Sequence, residues 1–160
     1  MQIILKNKFV QIGIFNLLIV SILGVAMRMK ILFEIPFIDQ KNLQLAHSNF
    51  AFSAWISFAL MSLLVHAIQK ENIKVNISLF NKIIVTYLIC NYFLLCAFLI
   101  QGYGIFSISL LLLSHIITVI FSIYFFKSIQ GSSFNAKRWF FSSLVFNLLS
   151  LLGSGYLAYM

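Results

Sequence analysis

The segment Leu45–Ile68 reads LAHSNFAFSAWISFALMSLLVHAI and contains no Asp, Glu, Lys or Arg. A hydrocarbon core about 30 Å thick requires about 20 mainly apolar residues in a helix. The segment meets that length, and backbone groups in lipid must find their hydrogen-bond partners within the helix. It therefore predicts a transmembrane α-helix, and this decides the fold class of the chain.

The composition of the whole chain agrees with a membrane fold. Of its 160 residues 62% are hydrophobic and 9% are charged, with a mean hydropathy of +1.03. Soluble domains contain about 45–50% apolar and about 25% charged residues. The alternation of apolar and polar positions that a membrane β-barrel requires is absent. We predict an all-α integral membrane helical bundle.

Five apolar segments are long enough to cross the bilayer, and they form a single transmembrane domain over residues 1–160. The third and fourth segments are joined only by Gln101–Gly104, which predicts an antiparallel hairpin. The first segment resembles a signal peptide, with Lys6 and Lys8 as a basic region and a cleavage site at Gly24–Ala26. Its apolar stretch exceeds the usual length of about 7–15 residues, which favours a retained helix. The predicted spans are 9–27, 45–68, 79–100, 105–126 and 138–159.

The distribution of charge predicts the orientation, because Lys and Arg accumulate on the cytoplasmic side of membrane proteins. With the N-terminus inside, the inner loops carry +7 and the outer loops +1, which accounts for the formal net charge of +8. We therefore predict an N-in, C-out protein of the inner (cytoplasmic) membrane with the lipid bilayer as a partner. The basic residues lie at segment ends and do not cluster on one face, so nucleic acid is not an expected partner.

Three histidines are the candidate site residues. His47 lies just inside the second span, and an ionisable residue there is a functional hypothesis by default. Ala51 and Ala54 follow it on the same helical face and leave a slot beside the imidazole that a flat cofactor such as haem would need. The alternative is an interfacial histidine bonded to a carbonyl, with small residues that favour close helix packing. His66 is interpreted as an interfacial residue and His115 as a partner in an interhelical hydrogen bond.

The stretch Leu45–Asn49, followed by Trp55, resembles a signature of subunit I of the haem-copper oxidase superfamily. The nearest resemblance is to the second helix of the nitric oxide reductase large subunit and of the C-type oxidases. In that family the histidine of the signature is an axial ligand of the low-spin haem, near the outer membrane face. The resemblance implies that His47 ligates haem b, and the charge distribution independently predicts that His47 lies near the outer face.

The resemblance covers mainly the second span, and the family has many more spans and metal-ligating histidines than this chain. It implies an N-terminal fragment of a haem-binding respiratory subunit, with electron transfer through haem b and further helices or subunits as partners. No catalytic residue is predicted, because the other metal ligands are missing. The alternative is a non-enzymatic membrane scaffold or assembly subunit without a cofactor. A small transporter is disfavoured, because Lys and Arg lie only at the span ends.

Overall fold

A computed structural model describes residues 2–33, 36–37, 39–70, 75–130, 138, 140–146 and 149, with the backbone alone for residues 2–7. Its regular elements are all helical in these ranges, which confirms the predicted fold class. The elements are α1 (Gln2–Leu32), α2 (Gln40–Phe50), a π-helical segment (Ala51–Ser57), α3 (Phe58–Lys70), α4 (Ile77–Gln101) and α5 (Ile105–Gln130).

Four helices are long and apolar enough to cross a membrane, so the chain is a multi-pass membrane protein. They coincide with the first four predicted spans and extend a few residues beyond most of the predicted ends. The predicted fifth span, 138–159, lies mostly outside the described residues and stays a prediction. The four helices are Lys8–Leu32, Gln40–Lys70, Ile77–Gln101 and Ile105–Gln130.

The second of these helices, Gln40–Lys70, is composite, and we call it the second span. It begins where the Asp39 carboxylate accepts a hydrogen bond from the Asn42 amide at 3.0 Å, a typical N-cap. It continues through the π-helical segment into α3 without a break. The sequence predicts a regular helix here, so the π-helical turn is a feature that the pattern of apolar residues does not indicate.

The helices α4 and α5 pack as the predicted antiparallel hairpin. Ring contacts join Phe80 near the start of α4 to Phe121 and Phe125 near the end of α5, with centroids 5.6 and 6.4 Å apart. Gly102 turns the chain between them with a φ of 59°. The main core lies between this hairpin and α3, and its largest buried members there are Phe58, Met61, Ile68, Ile84, Phe121, Phe125 and Ile129.

The helix α1 lies at the edge of the bundle and runs antiparallel to the second span. Phe9 packs edge-on against Phe58 with ring centroids 5.9 Å apart, and Val20 contacts the region of Phe50 and Ala54. Much of the remaining α1 surface is exposed apolar side chains such as Ile14, Leu18 and Ile22. An apolar surface of this kind suits contact with lipid.

Candidate functional site

The His47 imidazole is held by the backbone of α1. Its Nδ1 lies 3.1 Å from the carbonyl oxygen of Val20, and the side chain is half-buried. A carbonyl oxygen only accepts hydrogen bonds, so this contact requires a proton on Nδ1. In the neutral ring the lone pair then resides on Nε2, which is the nitrogen left to act as a ligand.

Gly24 allows the imidazole to approach α1 closely. A Cβ atom on Gly24 would lie 3.2 Å from His47 Cε1 and 4.0 Å from Nε2. These separations mean that the edge of the ring containing Cε1 lies against the α1 backbone. The glycine therefore belongs to the histidine site, and the sequence did not identify it as a site residue.

The small-residue face predicted beside His47 is in contact with α1. Ala54 is fully buried and forms a cluster with Val20 and Phe50, and Ala51 packs against the same cluster. The structure thus places all three predicted site residues on one side of the second span, near α1. Close approach of helices is the alternative use of small residues that the sequence left open.

Asn16 completes this interface from the middle of α1. Its Nδ2 donates to the Ala54 carbonyl, and its Oδ1 accepts from the Tyr92 hydroxyl of α4. The Asn16 side chain is fully buried. One amide therefore links three helices at a level between His47 and the α3 half of the second span. Its only sequence signal is an Asn inside an otherwise apolar run.

The π-helical segment explains why the Ala54 carbonyl is available to Asn16. In an α-helix the Phe58 amide would donate to Ala54, four residues earlier. Here it donates to Ser53, five residues earlier, and to Trp55, three residues earlier. Upstream side chains also compete for backbone carbonyls, because Asn49 donates to Leu45 and Ser53 donates to Asn49. Irregular π turns of this kind are frequent at functional sites.

The other two histidines lie on other elements. His66 is on α3, at the far end of the second span, where it lines a separate groove. His115 is on α5, and its Nδ1 lies 2.6 Å from the Leu111 carbonyl of its own helix. In the part of the chain that the structure describes, no group of three or more His, Cys, Asp or Glu residues could hold a metal ion.

A second buried polar cluster lies between α4 and α5. Asn91 donates to the Tyr87 carbonyl at 2.8 Å and accepts from the Ser114 hydroxyl at 3.3 Å. The Thr118 hydroxyl donates to the Ser114 carbonyl. The bond between Asn91 and Ser114 joins the two helices of the hairpin.

Comparison of the chain with protein-family models, curated proteins and solved structures finds no match. The structure identifies a helical, multi-pass membrane protein in which His47 is held at a helix–helix contact.

Proposed function

We propose that the chain is a haem-binding respiratory membrane subunit in which His47 supplies one axial ligand to a low-spin haem b. The observation that supports this proposal is the contact between His47 Nδ1 and the Val20 carbonyl. Histidines that bind metals almost always donate their other ring N–H to a carbonyl, a carboxylate or water. Neutral imidazole with such a bond is a standard axial ligand of haem iron.

The protein groups would hold and orient the ligand in this proposal. The Val20 carbonyl selects the tautomer with a lone pair on Nε2, and contact with Gly24 limits the tilt of the ring. Bound haem would supply one-electron oxidation and reduction. The chain has three histidines, and the other two lie on different elements from His47. A second protein ligand from a partner subunit would agree with a larger respiratory complex.

The proposal is tested by optical spectroscopy on the full chain, expressed in a haem-producing host and purified in mild detergent. The reduced-minus-oxidised spectrum of the wild type should show b-type haem bands. The His47→Ala variant should lose them, because no other side chain replaces the imidazole. The His66→Ala variant is the matched control and should keep them, since His66 lies at the opposite end of the second span.

Two outcomes would contradict the proposal. One is a wild-type protein that is folded by circular dichroism, purified with its partners from its native membrane, and free of haem. The other is a haem spectrum that survives His47→Ala. Circular dichroism of both variants separates a lost ligand from a lost fold.

A second candidate is a cofactor-free membrane scaffold, and a specific observation favours it. The helix α1 packs on the face formed by Ala51 and Ala54, and His47 already bonds its backbone. In this case His47→Ala would lower only the stability of the helix contact. The variant would still co-purify with a larger complex, and neither the wild type nor the variant would contain haem.

A further inference from the structure

A lateral groove lies between α1, the inner half of the second span and the start of α4. Its volume is about 290 Å³. This is near the lower end of the range of about 300–1,000 Å³ that small-molecule sites occupy. The groove is therefore large enough for one narrow ligand. It is distinct from the His47 site, because its lining on the second span runs from Trp55 to Gln69.

The polarity of the groove changes along its length. At the end of the groove nearest the middle of the bundle, the walls are apolar. They come from Leu17 and Ile14 of α1 and from Trp55 and Phe58 of the second span. The level of Trp55 is close to the middle of the bundle, because the neighbouring Ala54 bonds Asn16. The polar lining residues lie towards the opposite end of the groove: Ser62, His66, Gln69 and Asn81.

Three lysines adjoin, in the sequence, residues that line the end of the groove away from Trp55. Lys8 precedes the lining residue Phe9, Lys70 follows Gln69 and Lys82 follows Asn81, and all three lysines are exposed. Among the described residues the one carboxylate is Asp39, which caps the opposite end of the second span. Glu71 and Lys74 belong to the same end in sequence and lie outside the described residues. We call Lys8, Lys70 and Lys82 the basic rim.

We propose that this groove binds one acyl chain of an anionic phospholipid, with the phosphate of its headgroup held at the basic rim. The apolar walls match the chain, and the polar end offers hydrogen-bond donors at the level where a headgroup begins. Basic pockets between transmembrane helices on the cytoplasmic side bind anionic headgroups in this manner. The predicted orientation puts the rim on the cytoplasmic side, where anionic lipids face the protein. The proposal does not depend on haem binding at His47.

The test is native mass spectrometry of the full chain in mild detergent. The probes are phosphatidylglycerol and phosphatidylcholine with identical acyl chains, added at equal concentration. The wild type should retain one phosphatidylglycerol in clear preference to phosphatidylcholine. Replacing each rim lysine by Gln should weaken that retention by about fivefold at low salt. The triple variant Lys8→Gln, Lys70→Gln, Lys82→Gln should bind both lipids equally.

Lys127→Gln is the matched control for charge. Lys127 is an exposed lysine at the same end of the bundle, but it lies on α5, which contributes no lining residue. It should leave the preference unchanged. Filling the groove by Ala59→Phe or Gly13→Leu should reduce retention of both lipids. These residues lie on different helices, so the same reduction in both variants would not be explained by misfolding of one of them.

Equal retention of the two lipids by the wild type would overturn the proposal. A preference that persists in the triple variant would overturn it as well, because the anionic headgroup would then be held elsewhere. Neither result would bear on the haem spectrum, so this proposal and the proposed function fail separately.

Discussion

At the scale of single residues, Asn16 shows how a polar side chain joins helices in an apolar environment. Its amide donates to Ala54 on the second span and accepts from Tyr92 on α4. Interhelical hydrogen bonds in membrane proteins contribute modestly, at about 0.6 kcal/mol on average. Here the bonded carbonyl is one to which the Phe58 amide does not donate, so the loss of Asn16 removes the side-chain donor of a buried acceptor.

We expect Asn16→Leu to destabilise the protein by about 1–2 kcal/mol, because an unsatisfied buried acceptor costs more than the average bond. Tyr92→Phe should cost less, since it leaves one buried acceptor, Asn16 Oδ1, without its donor, whereas Asn16→Leu removes both bonds. Thermal unfolding in detergent, followed by circular dichroism, measures both. Ser21→Ala is the control and should be near neutral, because Ser21 is exposed and bonds only its own helix. An Asn16→Leu protein as stable as the control would show that the contact carries no weight.

At the same scale, the sequence predicts the position of His47 and the types of its neighbours, but not its partners. That His47 bonds a carbonyl was one of the two readings that the sequence allowed. The identity of that carbonyl, Val20, and the role of Gly24 depend on the register between α1 and the second span. Register is decided by the packing of whole surfaces, which a single sequence does not reveal. The partners of Asn16, the Ala54 carbonyl and the Tyr92 hydroxyl, likewise depend on how the helices pack.

At the scale of elements, the π-helical segment changes which faces of the second span point inward. Each additional residue in a turn rotates the following helix by about 100°. Before the segment the buried positions are Leu43, Ala46 and Phe50. After it they are Phe58, Met61, Leu64, Val65 and Ile68, which pack with α4 and α5. Both halves of the span contact α1 and the hairpin: Ala46 packs with Leu94 and Phe98 of α4, and Phe58 packs against Phe9 of α1. The apolar pattern gives no sign of this change, because nearly every position in the span is apolar.

The link between α4 and α5 is the other element that depends on one residue. Gly102 has a φ of 59°, and a Cβ at this position would also collide with the Asn42 side chain of α2. Gly102→Ala should therefore destabilise the protein by about 1–3 kcal/mol for the positive-φ backbone alone, with a further cost for displacing Asn42. The measurement is the thermal unfolding midpoint in detergent.

Gly104→Ala is the matched control for the link. The nearest atoms to a Cβ on Gly104 belong to the flexible Gln101 side chain, and Gly104 does not have a positive φ. We expect a smaller loss of stability than for Gly102→Ala. Equal losses would mean that the link responds to volume alone and that the backbone conformation of Gly102 is unimportant.

At the scale of the whole molecule, the number and approximate limits of the first four spans follow from hydrophobicity and length. This success has a simple physical cause, because the bilayer imposes one thickness and one type of secondary structure on every crossing. The bundle arrangement has no such constraint. The main core forms from Phe, Ile and Leu residues that differ little from those left exposed to lipid. The sequence could therefore identify the helices but could not say which faces meet.

The orientation of the bundle is the whole-molecule property that both proposals use. The positive-inside rule predicts that the end bearing Lys70 faces the cytoplasm and that the end bearing Asp39 faces outward. In a variant whose Cys90 and Cys96 are replaced by Ala, Asp39→Cys should react with a membrane-impermeant maleimide in intact cells. Lys70→Cys should react only after the cells are opened. Asp39 and Lys70 are both exposed at opposite ends of the second span, so they form a matched pair. The reverse labelling would place His47 at the inner face and the basic rim at the outer leaflet, where anionic headgroups are not expected to gather.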